Sequence, residues 1–253
     1  MISRWIVQPV FMQYDLSRDA YLADLVVNNL DMHQFLPKDS LFDVSLNLHA
    51  DGEGLDFFAR ETHFNIKGAV DKFHYTTYRL AGYDLSATLE NHQLDVALTA
   101  RNSAMEINAH LDGKLKPNDV AARLQMQVPK LDWQSLKITE APMRSSHELE
   151  MSFVSDLLKK YEINVSLTRS TIQGPKKTYR TKDLFAGFST SADSTRAYMR
   201  AGDLDMNFEG KGYVETLMSQ VDAFTTRMNE QWTSKTVVQE ELKTLLPTVC
   251  LKV

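Results

Sequence analysis

Between Tyr83 and Leu115 every second residue is apolar: Tyr83, Leu85, Ala87 and Leu89, then Leu94, Val96, Leu98 and Ala100, then Met105, Ile107, Ala109 and Leu111. The residues between them are mostly polar, among them Asp84, Ser86, Thr88, Asp95, Thr99, Glu106, Asn108 and His110. Successive side chains of a pleated strand point to opposite faces. The alternation therefore predicts three strands, each with one dry and one wet face. The interruptions at Glu90-Asn91-His92-Gln93 and Arg101-Asn102-Ser103 have hairpin-loop length, so the three strands form a meander.

The same pattern recurs along the chain. Phe42, Val44, Leu46 and Leu48 alternate with polar neighbours, and the run is expected to end in a turn at Gly52-Glu53-Gly54. Phe57 and Phe58, Phe64 and Ile66, and Phe73 and Tyr75 suggest further strands, with breaks at Gly68 and Asp71-Lys72. Ala122, Leu124, Met126 and Val128 alternate up to Pro129, and 131–138 reads as a helical turn and a short strand. Leu149, Met151 and Phe153, then Tyr161, Ile163, Val165 and Leu167, then Leu204, Met206 and Phe208 are further alternating strands. Tyr21 to Leu30 fits strand better than helix because of Val26-Val27, and 31–40 reads as a link. Residues 176–200 carry little pattern.

From Val214 the period changes. Leu217, Met218, Val221, Phe224, Met228, Trp232, Val238, Leu242, Leu245 and Leu246 recur every three or four residues, the stripe of an amphipathic helix. The expected organisation is therefore a repetitive antiparallel sheet over 1–212, a helix over 213–247 and the start of another strand over 248–253. About ten strands with one apolar face present on the order of 1,000 Å² of apolar wall, of which one helix covers roughly 450 Å². A surplus of that size is hidden by closing the sheet into a barrel, by folding it into a sandwich, or by curling it into a trough that holds apolar ligands.

Composition narrows the functional classes. Lys and Arg number 28 against 33 Asp and Glu, which argues against a general nucleic-acid binder. The single cysteine, Cys250, excludes an intramolecular disulfide and a cysteine-rich metal site. No apolar run reaches the ~18–20 residues that span a bilayer, and Arg4, Gln8, Gln13 and Asp15 interrupt the N-terminal apolar stretch. The chain reads as a segment of something longer.

No nucleophile elbow, phosphate loop, zinc-protease helix or dinucleotide fingerprint is present, and no cofactor is expected. His49 with Asp51 and Glu53 has the composition of a cation site but reads as a solvated turn. Asp203, Asp205 and Asn207 share a strand face without a loop to wrap calcium. Lys176, Lys177, Arg180 and Lys182 form the one basic cluster, suited to anionic lipid headgroups or simply an exposed hairpin tip. Met105, Met126, Met151 and Met206 lie on dry strand faces, where thioethers suit acyl chains and ordinary cores alike.

The segment from Tyr78 to Ala100, followed by Ala104 to Leu115 with its Asp112-Gly113 pair, resembles the repeated unit of the AsmA-like/TamB superfamily. The stretches Asn29–Ser40, Gly52–Phe57 and Glu240–Pro247 resemble the large TamB-type proteins of the Bacteroidetes. The resemblance covers roughly residues 20–253. It implies a mainly β fold, an elongated, curved antiparallel trough with an apolar interior, in a periplasmic protein anchored in the inner membrane. It further implies a non-enzymatic role: passage of phospholipid toward the outer membrane, or support of outer-membrane protein assembly with a barrel partner. The family's membrane anchor and barrel-binding domain are expected to lie outside these residues.

On that reading Leu85, Leu89, Leu94, Val96, Leu98, Met105, Ile107, Leu111, Leu124 and Met126 line a groove for acyl chains. Lys176, Lys177, Arg180 and Lys182 meet headgroups, and the exposed first or last strand allows end-to-end association. The alternative is a structural or adhesin-like module whose apolar faces close into a sandwich core.

Overall fold

A computed structural model describes residues 6–7, 11–31, 41–75, 78–234 and 249–252. The expected link over 31–40 and the second half of the expected helix lie largely outside these residues. The strands are β1 (Ile6–Val7 continued by Phe11–Asp15), β2 (Ala20–Asp31), β3 (Leu41–Glu53), β4 (His63–Tyr75), β5 (Tyr78–Leu80 continued by Tyr83–Glu90), β6 (Gln93–Arg101) and β7 (Met105–Lys116). Then come β8 (Asp119–Asp132), β9 (Arg144–Ser155), β10 (Tyr161–Gln173), β11 (Thr178–Arg180 continued by Leu184–Thr190), β12 (Ser194–Ala201) and β13 (Leu204–Lys211). Helix α1 (Val214–Ser234) separates β13 from β14 (Val249–Lys252).

Every strand pairs antiparallel with its chain neighbours, and β14 returns across the helix to pair with β13. The result is one 14-strand meander, open rather than closed into a barrel. All of these strands belong to one hydrogen-bonded ladder.

Local chemistry explains the tight connections. The β5–β6 hairpin turns on Asn91 and His92, both with positive φ (49° and 67°), as a two-residue turn matched to strand twist requires. In the β6–β7 connection the Asn102 side chain accepts from the backbone N–H groups of Ala104 and Met105 at 2.9 Å and donates to the Ala81 carbonyl.

Several expected breaks lie inside strands. Gly52 sits in β3 rather than in a turn, where a Cβ would fall 2.6 Å from both the Tyr21 hydroxyl and the His63 carbonyl oxygen. Gly68 and Asp71-Lys72 do not interrupt β4, and Asp112-Gly113 does not end β7, which turns instead at Pro117-Asn118. Pro129 does not stop β8. The register shifts there and pairing resumes at Lys130 and Leu131, because a bulge absorbs the missing N–H. Related shifts occur in the β2–β3, β3–β4 and β9–β10 pairs, with positive φ at Asn29 and Arg169. All fall toward the same end of the sheet and bend its strands. Phe57 and Phe58 lie in a loop, not a strand, and the 133–141 segment is a succession of turns without the expected strand. Conversely, the weakly patterned 176–200 region supplies β11 and most of β12.

Candidate functional site

The register joins the dry faces of the individual strands into rows. One row runs Leu25, Leu48, Gly68, Leu85, Leu98, Ala109, Met126, Leu149, Leu167, Leu184, Ala201, Leu204 from β2 to β13. The next runs Met12, Ala23, Ala50, Ile66, Ala87, Val96, Leu111, Leu124, Met151, Val165, Ala186, Met199, Met206. A third runs Tyr14, Tyr21, Gly52, Phe64, Leu89, Leu94, Gly113, Ala122, Phe153, Ile163, Phe188, Ala197, Phe208 and reaches the Leu251 position in β14. None of the three contains a charged residue. At about 4.8 Å between strands and ~7 Å between rows, they make a wall roughly 60 Å long and 20 Å wide.

This wall is not covered like a core. Among the described residues the buried apolar side chains are only Val27, Val44, Leu89, Ala100, Ala104, Val120, Val128, Leu136 and Leu217. Most row members are half-buried, and Leu85 is 39% exposed. In projection the wall spans ~1,200 Å², of which the half-buried side chains leave a part open to solvent.

Two devices close one long margin of the wall. At β4, Phe57 from the 54–62 loop packs edge-on against Phe64, with ring centroids 5.9 Å apart, and the neighbouring Leu89 is 1% exposed. At β11–β13 the first turn of α1 sits over the sheet. Buried Thr190 and Thr195 share a 2.8 Å hydroxyl contact; Thr195 donates to the Gly212 carbonyl, and the Val214 N–H donates to the Thr190 hydroxyl. Leu217, 3% exposed, occupies the space over Gly210, where a Cβ would fall 2.6 Å from its Cδ1. Beyond that first turn Met218, Met228 and Trp232 are 61%, 45% and 82% exposed, while Gln231 is buried.

All ten expected groove residues fall on this one face. Leu85, Leu98 and Met126 share the first row, Val96, Leu111 and Leu124 the second, and Leu89 and Leu94 the third. Met105 and Ile107 continue the face toward the bulged end, where Met105 also accepts the Tyr83 hydroxyl at 3.4 Å. Leu89 differs in exposure, since its burial leaves no surface for a ligand. Phe153, Ile163 and Phe208, whose alternation the sequence shows, extend the wall together with Phe188 from the weakly patterned 176–200 region; their alignment into rows needed the register.

The opposite face is mostly polar, with Val154, Phe185 and Tyr198 among its members, and carries cross-strand ion pairs. His49 contacts the Asp24 carboxylate at 2.6 Å and Asp51 at 3.1 Å, and the Asp24 hydrogen bond raises the imidazole pKa above its ordinary value. His49, Asp51 and Glu53, expected in a solvated turn, instead lie within β3, where His49 is paired with Asp24 and Asp51. Asp205 likewise receives Arg200 and Asn207. His110–Asp95, Arg123–Glu150, Arg169–Glu148 and Arg196–Glu209 complete the pattern of cross-strand pairs. A shallow cavity of about 530 Å³ is lined by Leu25, Leu48 and Leu85 of the first row as well as by His49, Ser86 and Thr99.

No family model, curated protein or solved structure matches the chain. Among the described residues no His, Cys, Asp and Glu side chains gather as a metal site, and no helix is long and apolar enough to cross a membrane.

Proposed function

We propose that this chain is a non-enzymatic segment of an AsmA/TamB-like periplasmic protein, whose apolar wall holds phospholipid acyl chains on their way between membranes. The supporting observation is the wall itself: three uncharged rows spanning at least twelve strands, half-exposed in an open sheet. Burial alone supplies the affinity. Each methylene removed from water contributes about 0.8 kcal/mol, so a ligand binds in proportion to chain length with little demand on side-chain identity. That is why leucine, methionine and phenylalanine interchange along a row without polar anchors.

On this reading the protein is anchored in the inner membrane through parts outside this chain. It supports outer-membrane biogenesis, by lipid delivery or by assembly with a barrel partner. The test is lipid extraction: mass spectrometry of the purified protein finds co-purifying phospholipid in stoichiometric amounts. Lipid-free protein whose rows are dry and filled by side chains would instead favour a structural module with a closed core.

A further inference from the structure

Opposite the margin closed by α1, the apolar face ends in a short row, Met105, Leu131, Ser145, Ile172 and Tyr179. Trp133 covers the polar member of that row by donating its indole N–H to Ser145 Oγ at 2.8 Å. Ile172 and Tyr179 are 37% and 58% exposed, so the face reaches solvent here. The β10–β11 hairpin carries this end outward through a tight turn, closed by the Gly174 N–H on the Lys177 carbonyl at 2.9 Å.

The same hairpin holds Lys176, Lys177, Arg180 and Lys182 with no acidic residue between 174 and 182, in a chain of formal net charge −5. All four are exposed, and none has an ion pair among the described residues. Elsewhere most of the sheet's described arginines are matched to carboxylates, as in Arg123–Glu150 and Arg196–Glu209, with Arg101 outside that pattern. The neighbouring acid, Asp183, accepts the Arg169 backbone N–H instead. Unmatched cations beside an exposed tyrosine and isoleucine have the chemistry of a membrane interface, where the aromatic ring sits at headgroup depth and the cations meet phosphates.

We propose that the β10–β11 tip docks onto a bilayer surface bearing anionic phospholipid, and that the Ile172–Tyr179 row is where acyl chains pass between that bilayer and the apolar wall. The second half of this statement rests on the acyl-chain reading of the wall; the docking half does not. A lipid entering here keeps its headgroup among the cations while its tails turn from the Ile172–Tyr179 row toward the wall.

The experiment is vesicle flotation of the whole chain with phosphatidylcholine vesicles, with and without 30 mol% phosphatidylglycerol. The wild type floats with the anionic vesicles and is released by high salt. Each cation near an anionic surface is worth about fivefold in binding, so Lys176→Gln with Lys177→Gln weakens it roughly 25-fold. Equal binding to both vesicle types, or a double variant that binds like the wild type, overturns the docking proposal. Lipid extraction of the same samples separates the two readings. A double variant that loses vesicle binding but retains bound lipid supports docking and leaves the wall intact. Anionic-selective flotation by a protein that carries no lipid supports docking while sinking the wall.

Discussion

Leu85 and Leu89 offer a direct comparison, because they share one strand and one face and differ in cover. Leu89 is 1% exposed beneath the Phe57–Phe64 contact, whereas Leu85 is 39% exposed on the open wall. Replacing leucine by alanine removes three carbon atoms, about 2.4 kcal/mol of transfer free energy when all are fully buried. At Leu89 a cavity adds to this, and Leu89→Ala is expected to cost about 3–4 kcal/mol. At Leu85 only some three-fifths of that transfer applies and water fills the gap, so Leu85→Ala costs about 1.5 kcal/mol. The difference of roughly 2 kcal/mol separates the apparent urea midpoints by about 1 M for a typical slope. Urea titrations followed by tryptophan fluorescence measure both. Equal costs at the two positions would mean that a second layer covers Leu85 as well, and the open wall would be refuted.

Three further outcomes follow from other parts of the molecule. Gly210→Ala drives a Cβ into Leu217 and should detach the first turn of α1 at a cost of about 2 kcal/mol; combining it with Leu217→Ala restores the space, so the pair should be non-additive by more than 1 kcal/mol in thermal melts. His147 is half-buried on the apolar side of β9, and burial lowers its pKa, so its contribution is present above the ordinary imidazole value and is lost as pH falls through the lowered one; His147→Leu should flatten stability across that acidic window, whereas His49→Gln should flatten it on the alkaline side, where the raised imidazole would deprotonate. The outer edge of β1 is unpaired among the described residues, with Phe11 and Met12 52% and 74% exposed; because fourteen is even, β1 and β14 run antiparallel, so head-to-tail copies can extend the ladder with every row on the same face. Sedimentation velocity should show concentration-dependent association that Met12→Lys reduces, and a concentration-independent monomer would remove that idea.

Strand identity was legible because period-two alternation is a local signal. Leu94-Asp95-Val96-Ala97-Leu98 needs no tertiary information to be read as a half-dry strand. Glycines and prolines misled for a physical reason. Gly52, Gly68, Gly113 and Pro129 look like breaks in sequence, yet they sit inside strands because a long sheet uses them for other ends. Gly52 makes room for the Tyr21 ring, Gly113 lies against the Ala121 carbonyl, and Pro129 occupies a bulge. The 184–201 strands escaped notice because their dry positions are often Ala and their wet face includes Phe185 and Tyr198, which blurs the alternation. For the site, membership of the apolar face was readable residue by residue. Its continuity was not, because a one-residue slip between any two strands would scatter the rows to opposite faces. Only the register shows that Leu25 and Leu204 are two ends of one line.

The most direct measurement of the central claim is site-specific photo-crosslinking on adjacent residues of β6. Leu98 belongs to an apolar row, and Thr99 points to the opposite, polar face. A photoreactive phenylalanine analogue is introduced at each position in turn, irradiated in membranes, and the adducts are identified by mass. The account predicts phospholipid adducts from position 98 and none from position 99. Equal labelling at both positions, or protein-only adducts at position 98, would contradict it.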